Sequence, residues 1–371
     1  MKVIQNVRDK VKKILDQTGL VHNLSRQKFV INYVQALVER GSVQSQEVAK
    51  SLSKTATDAS NQRRIERFFA QVQFEPQAVV MMLVLFLPKG KLHLSLDRTE
   101  WDFGTQQWNI LMLTAYSHGV GIPLWWHLLD NNSGNSSTQD RIKLLEEVVS
   151  MLGASRISSL CGDREFIGKD WYKWLLTNKI RFYLRLPKSH RIQVGSHLMK
   201  PESILGNRQK ALLDNIQMAG FRLSITLERV VNQAGEADLL IVLTNSFAYS
   251  GTRFYKQRWS IETFFESIKS RGFELEKTHL KKVERFETLL VLVSVAFGLC
   301  QLVGLIAHRS GQRLSTKKHG YKEHSFFRHG KNLLGEAWRR GQLALSQWGN
   351  FLYERLLRQL LKLQSLTIIV G

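Results

Sequence analysis

Tyr255, Arg258, Glu262 and Lys269 lie together in the stretch YKQRWSIETFFESIK. On an α-helix turning about 100° per residue, these four share an arc of roughly 60°. A carboxylate flanked by two cations and a phenol is either a salt-bridged solvent face or a working site. Two more acids bear on the choice: Asp97 ends the alternating stretch KLHLSLD, and Asp163 ends the short apolar stretch RISSLCGD. Singly, a strand-ending Asp is a turn residue and a helix-face Glu is solvated. Three converging carboxylates repel one another and push their pKa values up. A divalent cation relieves that repulsion, and hard oxygen donors select Mg²⁺, with Mn²⁺ as a substitute. Two such ions about 4 Å apart clamp the attacking and leaving oxygens of an in-line phosphoryl displacement. The reaction implied is attack of water, or of a DNA 3′-hydroxyl, on a phosphodiester. Arg258 and Lys269 would then hold backbone phosphates, Arg258 in bidentate fashion.

The elements that must bring these acids together follow from periodicity. Leu92, Leu94 and Leu96 alternate with His93, Ser95 and Asp97, the pattern of a half-buried strand. NILMLTAY and GIPLWWHLL continue as a meander, and SSTQDRIKLLEEVVSML has capping residues followed by helical apolar spacing. RISSLCGD reads as a fourth strand, FIGKDWYKWLLTNK as a helix and RFYLRLP as a fifth strand. An antiparallel meander followed by a crossover unit is the plan of an α/β, ribonuclease-H-like mixed sheet. That plan sets Asp97 beside the end of the fourth strand, where Asp163 falls. Residues from about 187 to 245, including FRLSITLERV and DLLIVLTN, read as a β-rich insertion before the closing helix that carries Glu262. The expected organisation is a helical N-terminal DNA-binding domain over 1–80, a catalytic domain over 81–310 and a basic helical C-terminal region over 311–371.

Composition narrows the partner. Lys and Arg total 53 against 31 acids, a net charge of +22 that points to nucleic acid ahead of an anionic membrane. The chain opens with MKVIQNVRDK, which has no apolar signal core, and Cys161 and Cys300 lie in apolar stretches as small buried hydrophobes. LLVLVSVAFGLCQLVGLIA, from Leu289 to Ala307, is long enough to span a bilayer, but Ser294, Gly298, Gln301 and Gly304 dilute it toward a buried core helix. In SQEVAKSLSKTATDASNQRRIERFF, two short helices flank a polar turn. Ser60 is the expected N-cap, Ile65, Phe68 and Phe69 face inward, and Arg63, Arg64 and Arg67 face out as in a helix-turn-helix DNA reader or a basic bundle face.

With these residues in view, the chain resembles a known family. YKQRWSIETFFESIK matches the Tyr-x2-Arg-x3-Glu-x6-Lys (YREK) signature of the insertion sequence four family of bacterial DDE transposases. LDRTEW is similar to its first-aspartate motif, GDREF to its second, and RRIERFF has the family's flavour. The resemblance implies Asp97, Asp163 and Glu262 as the metal-binding, catalytic triad, with Tyr255, Arg258 and Lys269 on DNA phosphates. It implies cut-and-paste movement of double-stranded DNA, often through a hairpin, by a protein homodimer in the cytoplasm with no membrane involved. Members that form hairpins can stack a tryptophan from the insertion on a flipped base. Here no tryptophan occurs between Trp174 and Trp259, and Phe221, Phe247 and Tyr249 are the alternatives, each also explained by packing.

Other residues take second place. His93, His118 and His127 read as structural histidines, Trp101 as packing, and Arg98 and Arg164 as orienters of carboxylate or phosphate. The tail from Arg309 to Arg340 reads as a phosphate-contacting surface, and QWGNFLYERLLRQLLKLQSLTIIV as an amphipathic segment. Two further functions fit the same residues: a ribonuclease-H-like nuclease without strand transfer, and a domesticated DNA-binding protein derived from a transposase.

Overall fold

Helical apolar spacing punctuated by capping residues builds the start of the chain. Five helices form there: α1 (Lys2–Gln17), α2 (Leu24–Arg40), α3 (Ser45–Leu52), α4 (Asp58–Gln71) and α5 (Pro76–Val84). Helix α2 starts where Asn23 accepts from the Ser25 and Arg26 N–H groups, and it ends at Gly41, whose φ of 67° only glycine adopts freely. The N-cap of helix α4 lies three residues before the expected one. Thr57, not Ser60, is the N-cap, because its hydroxyl accepts the Ser60 N–H at 3.2 Å and leaves Asp58 in the first turn, where the helix dipole favours an acid. Asn61 ties the helix pair together, its Nδ2 donating to the carbonyls of Ala49 at 2.9 Å and Ser53 at 3.0 Å. Ile65, Phe68 and Phe69 are buried as expected, while Arg63 and Arg67 are exposed and Arg64 half-buried.

This computed structural model describes residues 2–103, 106–130, 134–231, 235–269, 272–318 and 322–340. The chain divides into two compact units, one of Gly90–Glu100 with Gln107–Phe264, the other of Met1–Lys89, Trp101–Gln106 and the described part of Phe265–Gly371.

Strand alternation builds the first of these units. Its sheet begins with β1 (Leu92–Phe103), β2 (Gln106–Ser117) and β3 (Val120–Leu128), then passes through α6 (Thr138–Leu152) to β4 (Ile157–Gly162) and through α7 (Lys169–Thr177) to β5 (Phe182–Arg185). A capping box starts α6: the Asp140 N–H donates to the Ser137 hydroxyl, and the Asp140 carboxylate accepts from the Ser137 N–H. A hairpin of β6 (Ile192–Val194) and β7 (His197–Met199) and the short α8 (Pro201–Leu205) precede β8 (Lys210–Met218), β9 (Phe221–Val231) and β10 (Ala237–Thr244). The eight-stranded order is β3-β2-β1-β4-β5-β10-β9-β8, with β1, β4 and β5 parallel and β10, β9 and β8 antiparallel. It is a mixed sheet consistent with the ribonuclease-H-like plan expected from the sequence. The β-rich segment continues that same sheet, because β10 pairs with β5.

The closing segment departs from the single regular helix expected. It is α9 (Gly251–Tyr255), a 3₁₀ turn at Lys256–Arg258, then α10 (Trp259–Lys269). Two glycines let it approach the sheet. A Cβ on Gly251 would collide with Thr226, and one on Gly121 would meet Thr114 Oγ1 at 2.6 Å and the Ser260 carbonyl at 3.2 Å.

The other unit is helical. Among the described residues, one helix is long and apolar enough to cross a membrane, α11 (Val283–Arg309), and 94% of its most apolar window is buried inside the fold. It packs closely on α12 (Phe326–Arg340), since a Cβ on Gly304 would run into the backbone of Phe326 and Gly330. The segment from Gln347 to Val370, and the rest of 341–371, lie outside the described residues.

Candidate active site

The parallel pairing of β1 with β4 sets the site. Leu96 stands opposite Gly162 as the last rung of that pair, so Asp97 and Asp163 each come next, side by side at the point where the strands part. Strand β1 runs on to Phe103, which makes Asp97 a mid-strand residue rather than a strand end. Gly162 keeps this place narrow: a Cβ there would meet Phe166 and Leu184 at 3.0–3.1 Å.

Arg258 joins the acids. Its Nη1 donates to Asp97 Oδ2 at 3.1 Å and its Nη2 to Glu262 Oε1 at 2.5 Å, one helical turn on. The guanidinium is 5% exposed, Asp97 18% and Glu262 35%, so the pairing is shielded from water on the arginine side. Tyr255 completes the group, its hydroxyl donating to Asp163 Oδ1 at 3.3 Å, with the Arg258 guanidinium over its ring at 5.7 Å. Structure therefore brings together five of the six residues singled out on the closing segment and the strands. The sixth, Lys269, belongs to the helical unit, where its ammonium lies 5.5 Å from the centroid of the Trp101 ring. Glu266 is exposed.

Electrostatics follow from this packing. Burial pushes the Asp97 carboxyl up to about 6, opposed by the Arg258 guanidinium and reinforced by the Asp163 and Glu262 carboxylates. Burial also pushes the Tyr255 hydroxyl upward, so it remains a neutral donor. The acids around Arg258 outweigh its burial and hold it firmly charged. Its Nε is buried without a partner among the described residues.

Arg98 and Arg164, which follow the two aspartates, are held differently. Arg98 lies in a network with Glu165 at 3.3 Å, Asn109 at 3.0 Å and Glu100, while its backbone N–H donates to Asp97 Oδ1 at 2.8 Å. Arg164 lies 3.9 Å from Asp238. The histidines are engaged structurally: His93 bonds Ser159 Oγ at 2.8 Å, His127 bonds Glu147 at 2.8 Å, and His118 occupies the β2–β3 turn with φ 51°. Cys161 is buried and its thiol donates to the Phe254 carbonyl at 3.3 Å, and burial pushes its pKa up to about 12. Phe247 and Tyr249 are 65% and 67% exposed and stack on each other at 5.7 Å, so packing does not account for them; Phe221 is half-buried.

Sequence reasoning missed Glu165, Asp238 and Arg185. Glu165 was visible as the third acid of GDREF, whereas Asp238 and Arg185 have no local signal and meet only through the β5–β10 pair. Among the described residues, no three of His, Cys, Asp or Glu are already grouped as a metal cage, and Arg258 is the cation that Asp97 and Glu262 share.

A comparison with curated proteins returned no match. A comparison with protein families matched residues 88–299 to the transposase DDE domain, more than half of the chain and a span that includes Asp97, Asp163 and Glu262. The parting of β1 from β4 thus lies inside a stretch whose relatives act on DNA, and the chain belongs to the transposase DDE domain family.

Proposed function

We propose that this protein is a cut-and-paste transposase of the insertion sequence four type, acting on double-stranded DNA at the ends of its element. The observation that carries this reading is the shared arginine. Arg258 draws Asp97 and Glu262 onto one cation while Tyr255 reaches Asp163, so the Tyr, Arg and Glu of the YREK signature all turn toward the two aspartates. Carboxylate oxygens that already share a cation fit a hard divalent ion, and Asp97, Asp163 and Glu262 would hold Mg²⁺, with Mn²⁺ as a substitute and two ions the expected number. When bound, the metal supplies Lewis acidity to the phosphodiester and lowers the pKa of attacking water. Arg258 keeps its charge throughout and holds Asp97 and Glu262 in place beside the phosphodiester. Tyr255 and Lys269 add phosphate contacts, as do Arg63, Arg64 and Arg67 on the N-terminal DNA-binding helices. A homodimer would join the two element ends, and a cytoplasmic protein with access to the chromosome suits this work.

The exposed pair Phe247 and Tyr249 supports a role in stacking on unpaired bases in place of the absent tryptophan. A nuclease without strand transfer and a non-catalytic relic remain the competing functions. Retention of all three acids counts against the relic.

The test is cleavage of a plasmid carrying the gene in its native flanking DNA, with purified protein and Mg²⁺. Wild type is expected to release a discrete fragment with defined ends. Glu262→Gln is expected to bind the same DNA and to release none. Cutting by Glu262→Gln at the wild-type rate would remove Glu262 from the site.

A further inference from the structure

Beside Asp163 lies a second charged group that the catalytic reading does not use. Asp238, at the start of β10, is the shared partner of three cations: Lys188 Nζ at 2.5 Å, Arg185 Nη2 at 2.8 Å and Arg164 Nη2 at 3.9 Å. One carboxylate neutralises one of them and leaves a surplus of two positive charges. That excess is left for water, salt or a bound anion to screen, because a single pair already satisfies Asp238. The exposures are graded. Asp238 and Arg185 are 15% and 17% exposed, whereas Arg164 and Lys188 are 46% and 47% exposed. The acid therefore sits at the base and the two outer cations face solvent. Arg185 Nε is buried with no partner among the described residues, a donor still to be satisfied.

The placement relates this group to the acids. Strand β5 pairs with β4 so that Leu184 stands opposite Gly162, which sets Arg185 level with Asp163. Arg164 is the residue after Asp163. The charge of Arg185 also reaches the Tyr255 phenol that donates to Asp163.

We propose that Arg164, Arg185 and Lys188, organised by Asp238, form a binding site for a backbone phosphate of the DNA strand whose phosphodiester lies at Asp163. The site rests on the transposase reading and deepens it. Asp238 holds the guanidinium of Arg185 in place, so little side-chain freedom is lost when the phosphate arrives. Arg164 and Lys188 supply the exposed charge, and each replaces counterions condensed on the DNA. The contact is blind to base sequence and fixes where the strand lies.

The experiment is fluorescence-anisotropy titration of the full-length protein with a thirty-base-pair duplex of arbitrary sequence, in EDTA, over a series of salt concentrations. Arg164→Ala with Lys188→Ala is compared with a control lacking two exposed lysines on the sheet-flanking helices, Lys143→Ala with Lys173→Ala. The slope of log affinity against log salt is expected to become shallower by about two in the cluster variant and to change less in the control. Arg164→Lys with Lys188→Arg, which keeps both charges, is expected to restore the wild-type slope. If circular dichroism shows the double variant misfolded, Lys188→Ala alone provides the same reading with a change of about one. A cluster slope equal to the control slope overturns the site. The transposase reading is judged separately, by whether cleavage still depends on Glu262.

Discussion

Asp97 is a carboxylate whose burial works against its charge more strongly than the Arg258 guanidinium supports it. Its pKa of about 6 in the fold exceeds the usual 3.8, so the folded protein binds this proton more tightly than the unfolded chain. The associated stability is complete below about pH 4 and is lost as pH rises through 6. Asp97→Asn, which cannot ionise, is therefore expected to match wild type in thermal melts near pH 4 without metal. It should exceed wild type above pH 6 by on the order of 2 kcal/mol. A variant less stable than wild type at pH 8 would contradict the assigned environment. At this scale the sequence was informative about placement, because Asp97, Asp163, Tyr255, Arg258 and Glu262 stand out by type and spacing and the fold brings them together. Arg258 bridging Asp97 and Glu262 was not legible, since a spacing gives a helical face and not the partner across it.

Elements decide whether those residues meet. Alternation in β1 through β5 was readable, and so was the crossover that sets Asp163 beside Asp97. Strand β8 was not, because a bulge between Leu213 and Ile216 with Asn215 at φ 58° interrupts its two-residue period. The break between α9 and α10 was equally hidden, since a 3₁₀ turn and an α-turn carry nearly the same spacing over three residues. Gly251 opens that segment and packs closely on Thr226. Gly251→Val would push against Thr226, whose hydroxyl donates to the Ala248 carbonyl, at an expected cost of about 1–3 kcal/mol. Because α9 carries Tyr255, DNA cleavage is expected to fall further than the melt alone explains. An unchanged melting temperature would show that the close approach is not required.

Across the whole molecule, charge and burial set the partners. A net charge of +22 predicts that affinity for DNA of any sequence falls steeply between 50 and 200 mM salt, by roughly a thousandfold or more if six or more phosphates are contacted. A shallow dependence in filter-binding or anisotropy titrations would mean that the basic residues face no DNA. Composition already leaned toward a core helix for α11, since Ser294, Gly298, Gln301 and Gly304 dilute the apolar run, and its burial in the fold agrees. Leu292 is fully buried in α11, so Leu292→Asp is expected to cost several kcal/mol and abolish the cooperative melt of the detergent-free protein. The central claim concerns three acids far apart in sequence acting as one metal centre. Its most direct test is Mn²⁺ bound to the protein–DNA complex, counted by electron paramagnetic resonance in wild type, Asp97→Asn, Asp163→Asn and Glu262→Gln. Each variant is expected to lose bound Mn²⁺ while still holding DNA; an undiminished Mn²⁺ count in all three would contradict the claim.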